Sequence, residues 1–132
     1  MVGCIFCKII KGEIPSVKLY ETNHSYAMLD INPLSEGHAL IIPKEHAEKM
    51  HQLSDESLTD ILIIAKRLAL AENLVDYNIL QNNGYNAHQR VMHVHFHVIP
   101  KTQKEGLIVP WDPKKTNLED LKKLGENIKK NL

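Results

Sequence analysis

Three histidines alternate with apolar residues in the stretch Val91–Pro100, VMHVHFHVIP: His93, His95 and His97 are separated by Val94 and Phe96 and followed by Val98. A period of two is the strand period, so the three imidazoles face one side and the apolar side chains the other. Same-face neighbours on a strand stand roughly 6.5–7 Å apart, whereas a helix would scatter the rings around its axis. Each buried ring needs hydrogen-bond partners, which makes the row a costly choice for an ordinary strand. Three chemistries suit it. One is metal catalysis, with an HxH pair and a third ligand holding zinc at an open position. Another is nucleophilic attack by one imidazole while its neighbours manage protons and charge. The last is a structural metal site.

Cys4 and Cys7 form a C-x-x-C pair, half of a tetrahedral zinc site. No second such pair exists, so histidines must complete it. His46, just past an apolar strand, and His93 are the candidates, which leaves His95 and His97 free. The plain alternative is two buried thiols. His38 precedes the apolar run Ala39–Ile42 and reaches the histidine row if the two strands are neighbours. Asp30, at a strand end before a loop, can accept hydrogen bonds from sugar hydroxyls or simply serve a turn. His24 and His51 read as surface residues.

The periodicity predicts the elements that must position these groups. Cys4–Ile10 reads as one or two helical turns, ended by Gly12 and Pro15. Val17–Glu21 and Ser25–Ile31 read as a hairpin, and His38–Pro43 as a central strand. A helix is predicted from Ser54, a capping residue, to about Asn73, with Leu58, Ile61, Leu62, Ala65, Leu68 and Ala69 on its apolar stripe. Tyr77–Gln81 and the histidine row form the last two strands. Thr102–Pro113 is an irregular arm carrying Trp111. Asn117–Leu132 is an amphipathic helix with Leu118, Leu121, Leu124 and Ile128 on one stripe. The order β-β-β-α-β-β predicts an α+β fold with an antiparallel sheet. A single domain over residues 1–132 is expected, with its core at about 4–101.

The 132 residues carry sixteen basic and sixteen acidic side chains. No global positive field draws the chain to nucleic acid or to an anionic membrane, so an anionic substrate must be held by local groups. No apolar run approaches a membrane span and no signal pattern opens the chain. With two cysteines and nothing to suggest a disulfide scaffold, the expected compartment is reducing: cytosol, or also nucleus.

Taken together, these residues resemble the histidine-triad (HIT) superfamily, whose signature is His-φ-His-φ-His-φ-φ with φ apolar. Here it is His93-Val94-His95-Phe96-His97-Val98-Ile99. Cys4–Ile10 with Glu13-Ile14-Pro15, Leu29-Asp30-Ile31 and Gly37–Lys44 resemble its Hint branch. Ala87-His88-Gln89 and Gly106-Leu107-Ile108-Val109 with Trp111 are similar to fungal-type Hint adenosine 5′-monophosphoramidases. The resemblance implies a HIT-like five-stranded antiparallel sheet with one long helix, a short N-terminal helix and a C-terminal helix, in a homodimer whose sheets run on into each other. It implies binding of purine nucleoside 5′-monophosphates and hydrolysis of their phosphoramidates. His95 matches the nucleophile, and His97 and Asn82 the phosphate and leaving-group contacts. Gln89 lies in the phosphate loop, where backbone N–H groups would hold the phosphoryl oxygens. His38 supports the triad, Asp30 takes the ribose, and Ile5, Phe6, Ile9, Met28 and Ile31 wall the base pocket. Members with the C-x-x-C pair hold structural zinc with two histidines, here His46 and His93; catalysis requires no cofactor.

One departure stands out. Many Hint members read Gly-Gln-Ser before the triad; here it is His88-Gln89-Arg90. Arg90 lacks the small hydroxyl and offers the bound nucleotide instead a charged fork to a phosphate or to an acidic substrate group, or points to solvent. Other readings of the same residues are a dinucleotide polyphosphate hydrolase, a nucleotide-binding regulatory protein with incidental activity, and a zinc hydrolase.

Overall fold

The computed structural model describes residues 3–132. Helix α1 spans Ile5–Ile10, with the Cys4 thiol accepting from the Cys7 N–H at its start. Strands β1 (Lys18–Glu21), β2 (Ser25–Leu29) and β3 (Ala39–Pro43) follow, then helix α2 (Ile61–Ala71), strands β4 (Tyr77–Gln81) and β5 (Phe96–Pro100), and helix α3 (Leu118–Lys129). The sheet has five strands in the order β1-β2-β3-β5-β4, every pair antiparallel.

The strand period divides the sheet into two faces. Ala27, Ala39, Ile41 and Val98 pack with Ile61, Ile64, Ala65 and Leu68 of α2 on one face. Phe6 and Ile9 of α1 pack with Tyr26, Met28, Leu40 and Ile42 on the other. Met28 pairs with Leu40, and Leu40 with His97, so His97 belongs to the α1 face.

Two predicted elements differ. The histidine segment joins the sheet only from Phe96, not from Val91. Carried on past the Ile41–Phe96 pair, the register would set Val94 against Pro43. Proline has no N–H to give a ladder, and the Pro43 carbonyl is already taken by the His93 ring, at 2.7 Å. The Val94 N–H donates instead to the Ala47 carbonyl, at 2.9 Å. His93 and His95 therefore sit on a strand extension tied to residue 47. The long helix begins at Ile61, not Ser54, because Ser54 caps nothing. The hydroxyls of Ser54 and Ser57 donate to the Glu45 carboxylate, at 2.8 and 2.6 Å, and Asp55–Leu58 closes as a 3₁₀ turn. Asp60, next to the true start, accepts from Thr22 and Ser25 of the first hairpin, both at 2.6 Å. The helix turns Ile61, Ile64, Ala65 and Leu68 to the sheet, so Leu62 is exposed and Ile64 takes the core position.

The loop into β3 is held against Pro100 and Glu72. The buried Ser35 hydroxyl donates to the Pro100 carbonyl, at 2.6 Å. Gly37 has φ +88°, and a Cβ there would collide with the Glu72 carboxylate. Gly37→Ala therefore meets both backbone strain and a steric clash beside His38. Urea unfolding is expected to show a loss of about 1–3 kcal/mol, with His38 resonances shifted.

Candidate active site and metal centre

The rings form two groups, His46 with His93 and His95 with His97 and His38, and the Phe6 ring packs against both His93 and His95. Ring centroids are 4.8 Å apart for His46–His93, 5.0 Å for His95–His97 and 5.1 Å for His38–His97. The Phe6 ring stands edge-on to His95, at 5.1 Å. Backbone groups fix the proton on each ring. His95 Nδ1–H donates to the His93 carbonyl, at 2.7 Å, leaving the Nε2 lone pair free. His93 Nε2–H donates to the Pro43 carbonyl, leaving its Nδ1 lone pair free. His38 Nδ1 accepts from the Leu34 N–H, at 3.0 Å, so a neutral His38 carries its proton on Nε2. That proton points at His97 Nδ1, 2.9 Å away, and the His97 Nε2–H then faces out.

These roles divide the row into two centres. The free Nδ1 of His93 lies 3.3 Å from Cys4 Sγ, 3.6 Å from Cys7 Sγ and 3.0 Å from His46 Nδ1. Cys7 Sγ is 3.4 Å from His46 Nδ1, and all four donor atoms lie within 4.8 Å of one another. Tetrahedral zinc with two sulfur and two nitrogen ligands needs edges of roughly 3.3–3.8 Å. The donor set fits, and the hydrogen bond to the Pro43 carbonyl supplies the outer partner such a ligand requires. His95 and His97 belong to the second centre, with His38 and Asp30 behind them. Asp30 Oδ2 is 3.5 Å from His38 Nε2, and its Oδ1 accepts from the Asn32 N–H, at 2.8 Å.

The expected wall of the base pocket divides by exposure. Ile5 and Ile31 are exposed, whereas Phe6, Ile9 and Met28 are buried beneath. Asn82 lies one step past the Gln81–Phe96 pair, at the register position opposite His95, and its amide donates to the His88 carbonyl, at 3.3 Å. Gln89 is wholly buried. It accepts from the Gly84 N–H, at 2.7 Å, and donates to the carbonyls of Glu48 and Val91, at 2.6 and 3.1 Å. Its side chain braces the loop, so any contact with a ligand is through the backbone. Arg90 folds back over the Tyr85 ring, 4.8 Å from its centroid, with Nη2 donating to His88 Nδ1, at 3.0 Å.

The HIT domain family matches residues 11–104. The chain belongs to the HIT family. It is 61% identical over 127 residues to adenosine 5′-monophosphoramidase HNT1 of Saccharomyces cerevisiae, covering 96% of this chain and 80% of that one. The Schizosaccharomyces pombe protein of the same name is 59% identical, with 96% of each covered. Among solved structures, the histidine triad nucleotide-binding protein of Candida albicans superposes with a TM-score of 0.91 at 51% identity, over 98% of this chain and 96% of that one. A HIT family member from Bacillus subtilis gives 0.90 at 38%, over 98% and 97%.

Sequence reasoning missed the groups that fix the protons. The Leu34 N–H and the carbonyls of Pro43 and His93 are backbone atoms and carry no residue signature. The turn formers of Asn32–Gly37 were the one available signal, since a tight loop before His38 turns an N–H toward its ring.

Burial lowers the basicity of all four interior histidines. His97 falls to about 4, chiefly through burial and then through repulsion from His95 and His38. Burial is also the largest cause for His38, His93 and His95. The unfolded chain binds protons near pH 6.5 and the folded His97 only near 4. Stability from its neutral burial is therefore whole above about pH 6.5 and is lost as pH falls toward 4. The loss for His97 is roughly 3 kcal/mol. Urea midpoints measured from pH 7 to 4 should fall over this interval, and less steeply in His97→Gln.

Proposed function

We infer that the protein hydrolyses purine nucleoside 5′-phosphoramidates, as an adenosine 5′-monophosphoramidase, through a nucleotidyl intermediate on His95. The observation that carries this is the His95 ring: its Nδ1–H is held by the His93 carbonyl and its Nε2 lone pair is free beside His97. A neutral imidazole with one nitrogen tied is a competent nucleophile. The naming of the yeast relatives agrees. Asp30 takes the ribose hydroxyls, and Ile5 and Ile31 with Phe6, Ile9 and Met28 hold the purine. Asn82 and the backbone of the Gln89 loop face the phosphoryl oxygens.

Two displacements follow. The Nε2 lone pair forms an N–P bond as the substrate's P–N bond breaks, and the departing nitrogen takes up one proton. Water then attacks the nucleotidyl-histidine, frees His95 and gives up one proton. His97 is neutral at pH 7, so it offers the departing group a hydrogen bond from Nε2–H. The proton itself enters with the anionic substrate, whose charge favours its uptake.

The zinc site is structural on this reading. Cys4, Cys7, His46 and His93 would hold the ion, tying α1 to the extension that carries His95. Unpaired thiols at Cys4 and Cys7 suit a reducing compartment, cytosol or nucleus. Exposed apolar residues support a homodimer. Leu62, Ile63 and Leu70 stand on the outer side of α2, and Tyr77 and Ile79 on β4, an edge of the sheet. Pairing through that edge would extend the sheet into a partner and remove an open strand.

Turnover of a fluorogenic adenosine phosphoramidate should fall at least about 10³-fold in His95→Ala and persist in the wild type after chelation. Activity in the mutant would sink the nucleophile. Loss on chelation with circular dichroism unchanged would move the chemistry to the metal. Added zinc should protect two thiols from a thiol reagent in the wild type but not in His46→Ala. Sedimentation should give roughly twice the 15.1 kDa chain mass; a monomer would overturn the dimer.

A further inference from the structure

Among the described residues no carboxylate forms an ion pair with Arg90. Its guanidinium lies over the Tyr85 ring, 4.8 Å from the centroid, and Nη2 donates to His88 Nδ1, at 3.0 Å. Nη1 reaches the carbonyls of Tyr85 and Gln89 only at 3.4 Å each, beyond the ordinary range of a hydrogen bond. An aromatic face and an imidazole lone pair thus hold the group without neutralising it, and most of its N–H donors are left for an anion. Two contacts tie it to the reaction centre. The His88 carbonyl accepts from the Asn82 amide, at the register position opposite His95. After burial and the repulsions of His95 and His38, His88 is a further cause of the lowered basicity of His97, so it lies within electrostatic reach of that ring. Arg90 also borders an open cleft of about 430 Å³, walled by Ile5, Val91 and Met92 and reaching Cys4 and His46. Ile5 is shared with the purine wall, so the cleft adjoins the nucleotide.

We propose that Arg90 selects substrates whose departing amine carries a carboxylate: nucleoside 5′-phosphoramidates of α-amino acids, with an apolar side chain lodged in the cleft. This rests on the nucleotide reading above and names the leaving group. Asp30 and the apolar wall take the ribose and purine on that reading, and Asn82 with the Gln89 backbone takes the phosphoryl oxygens. Arg90 follows Gln89 directly, yet its guanidinium is turned to Tyr85 and His88. An anion that meets it is therefore carried beyond phosphorus, on the amine. A carboxylate on the carbon next to the nitrogen fits the planar fork of a guanidinium. Apolar walls with a few placed polar groups are the usual lining of a small-molecule site. The bond changes are those already given: the His95 N–P bond forms, the P–N bond breaks, and the amino acid leaves with one proton added at nitrogen and its carboxylate unchanged.

The test compares adenosine 5′-phosphoramidates of phenylalanine and of phenylalaninamide, which match in shape and differ in one charge. The two amines differ in intrinsic reactivity, so the readout is the change between variants in the carboxylate-to-amide ratio of kcat/KM. Arg90→Gln should lower that ratio roughly tenfold, the worth of one hydrogen bond to a charged group. Arg90→Lys keeps the charge without the fork and should restore part of it; Arg90→Glu should push it below that of Arg90→Gln. The glycine phosphoramidate should show a higher KM than the phenylalanine one, because it leaves the cleft unfilled; an equal KM would overturn the cleft as the side-chain site. An equal fall for both phenylalanine substrates in Arg90→Gln would assign the guanidinium to the phosphate they share. That result, or an unchanged ratio, would overturn the selection. So would a wild type that turns over unsubstituted adenosine phosphoramidate but not the phenylalanine compound. A wild type that turns over none of these would sink the nucleotide reading itself, and the selection with it.

Discussion

Everything at this site depends on which nitrogen of each ring carries its proton. An imidazole is a nucleophile, a ligand or a donor according to that choice, and here the backbone makes it. The Pro43 carbonyl takes the His93 proton and frees Nδ1 for the cysteine side. The His93 carbonyl takes the His95 proton and frees Nε2 for the substrate side. The Leu34 N–H occupies His38 Nδ1 and sends the remaining proton toward His97. A hydrogen bond from one residue thus serves the next, and His93 belongs to both centres: its ring faces the thiols while its carbonyl orients the His95 ring.

The break in the sheet is part of this arrangement. A regular ladder through residues 93–95 would consume the Pro43 and His93 carbonyls in strand pairing. Proline at position 43 cannot donate, the ladder ends, and both carbonyls turn to rings. Burial then keeps the rings neutral, as nucleophilic attack and metal ligation both require. The same burial is a liability in acid, where protonation favours the unfolded chain.

Much of this was legible in the sequence because it lives in side-chain spacing. The HVHFH alternation placed three rings on one face, and the order of apolar runs gave the antiparallel sheet. The pairing of β3 with β5 brought His38 to the row as the strand order allowed. What could not be read is carried by backbone atoms or by competing polar side chains. Ser54 has the composition of a helix cap, yet Glu45, nine residues earlier, claims its hydroxyl. Leu62 shares helical spacing with Ala65 and Ala69, but the face that packs on the sheet is centred on Ile61, Ile64, Ala65 and Leu68 and leaves Leu62 at its flank. Gln89 reads as a ligand-loop residue, and its position is right, but its amide is spent on Gly84, Glu48 and Val91.

That buried amide separates two duties within one short loop. The curve of residues 84–91 is set from inside by Gln89, whereas His88 and Arg90 on either side project outward. His88 has a left-handed backbone, φ +67°, which favours glycine, so position 88 is constrained by the turn while position 90 is not. At Arg90 the chain changes an exposed side chain beside the histidine row while the buried Gln89 amide keeps the loop under it in place.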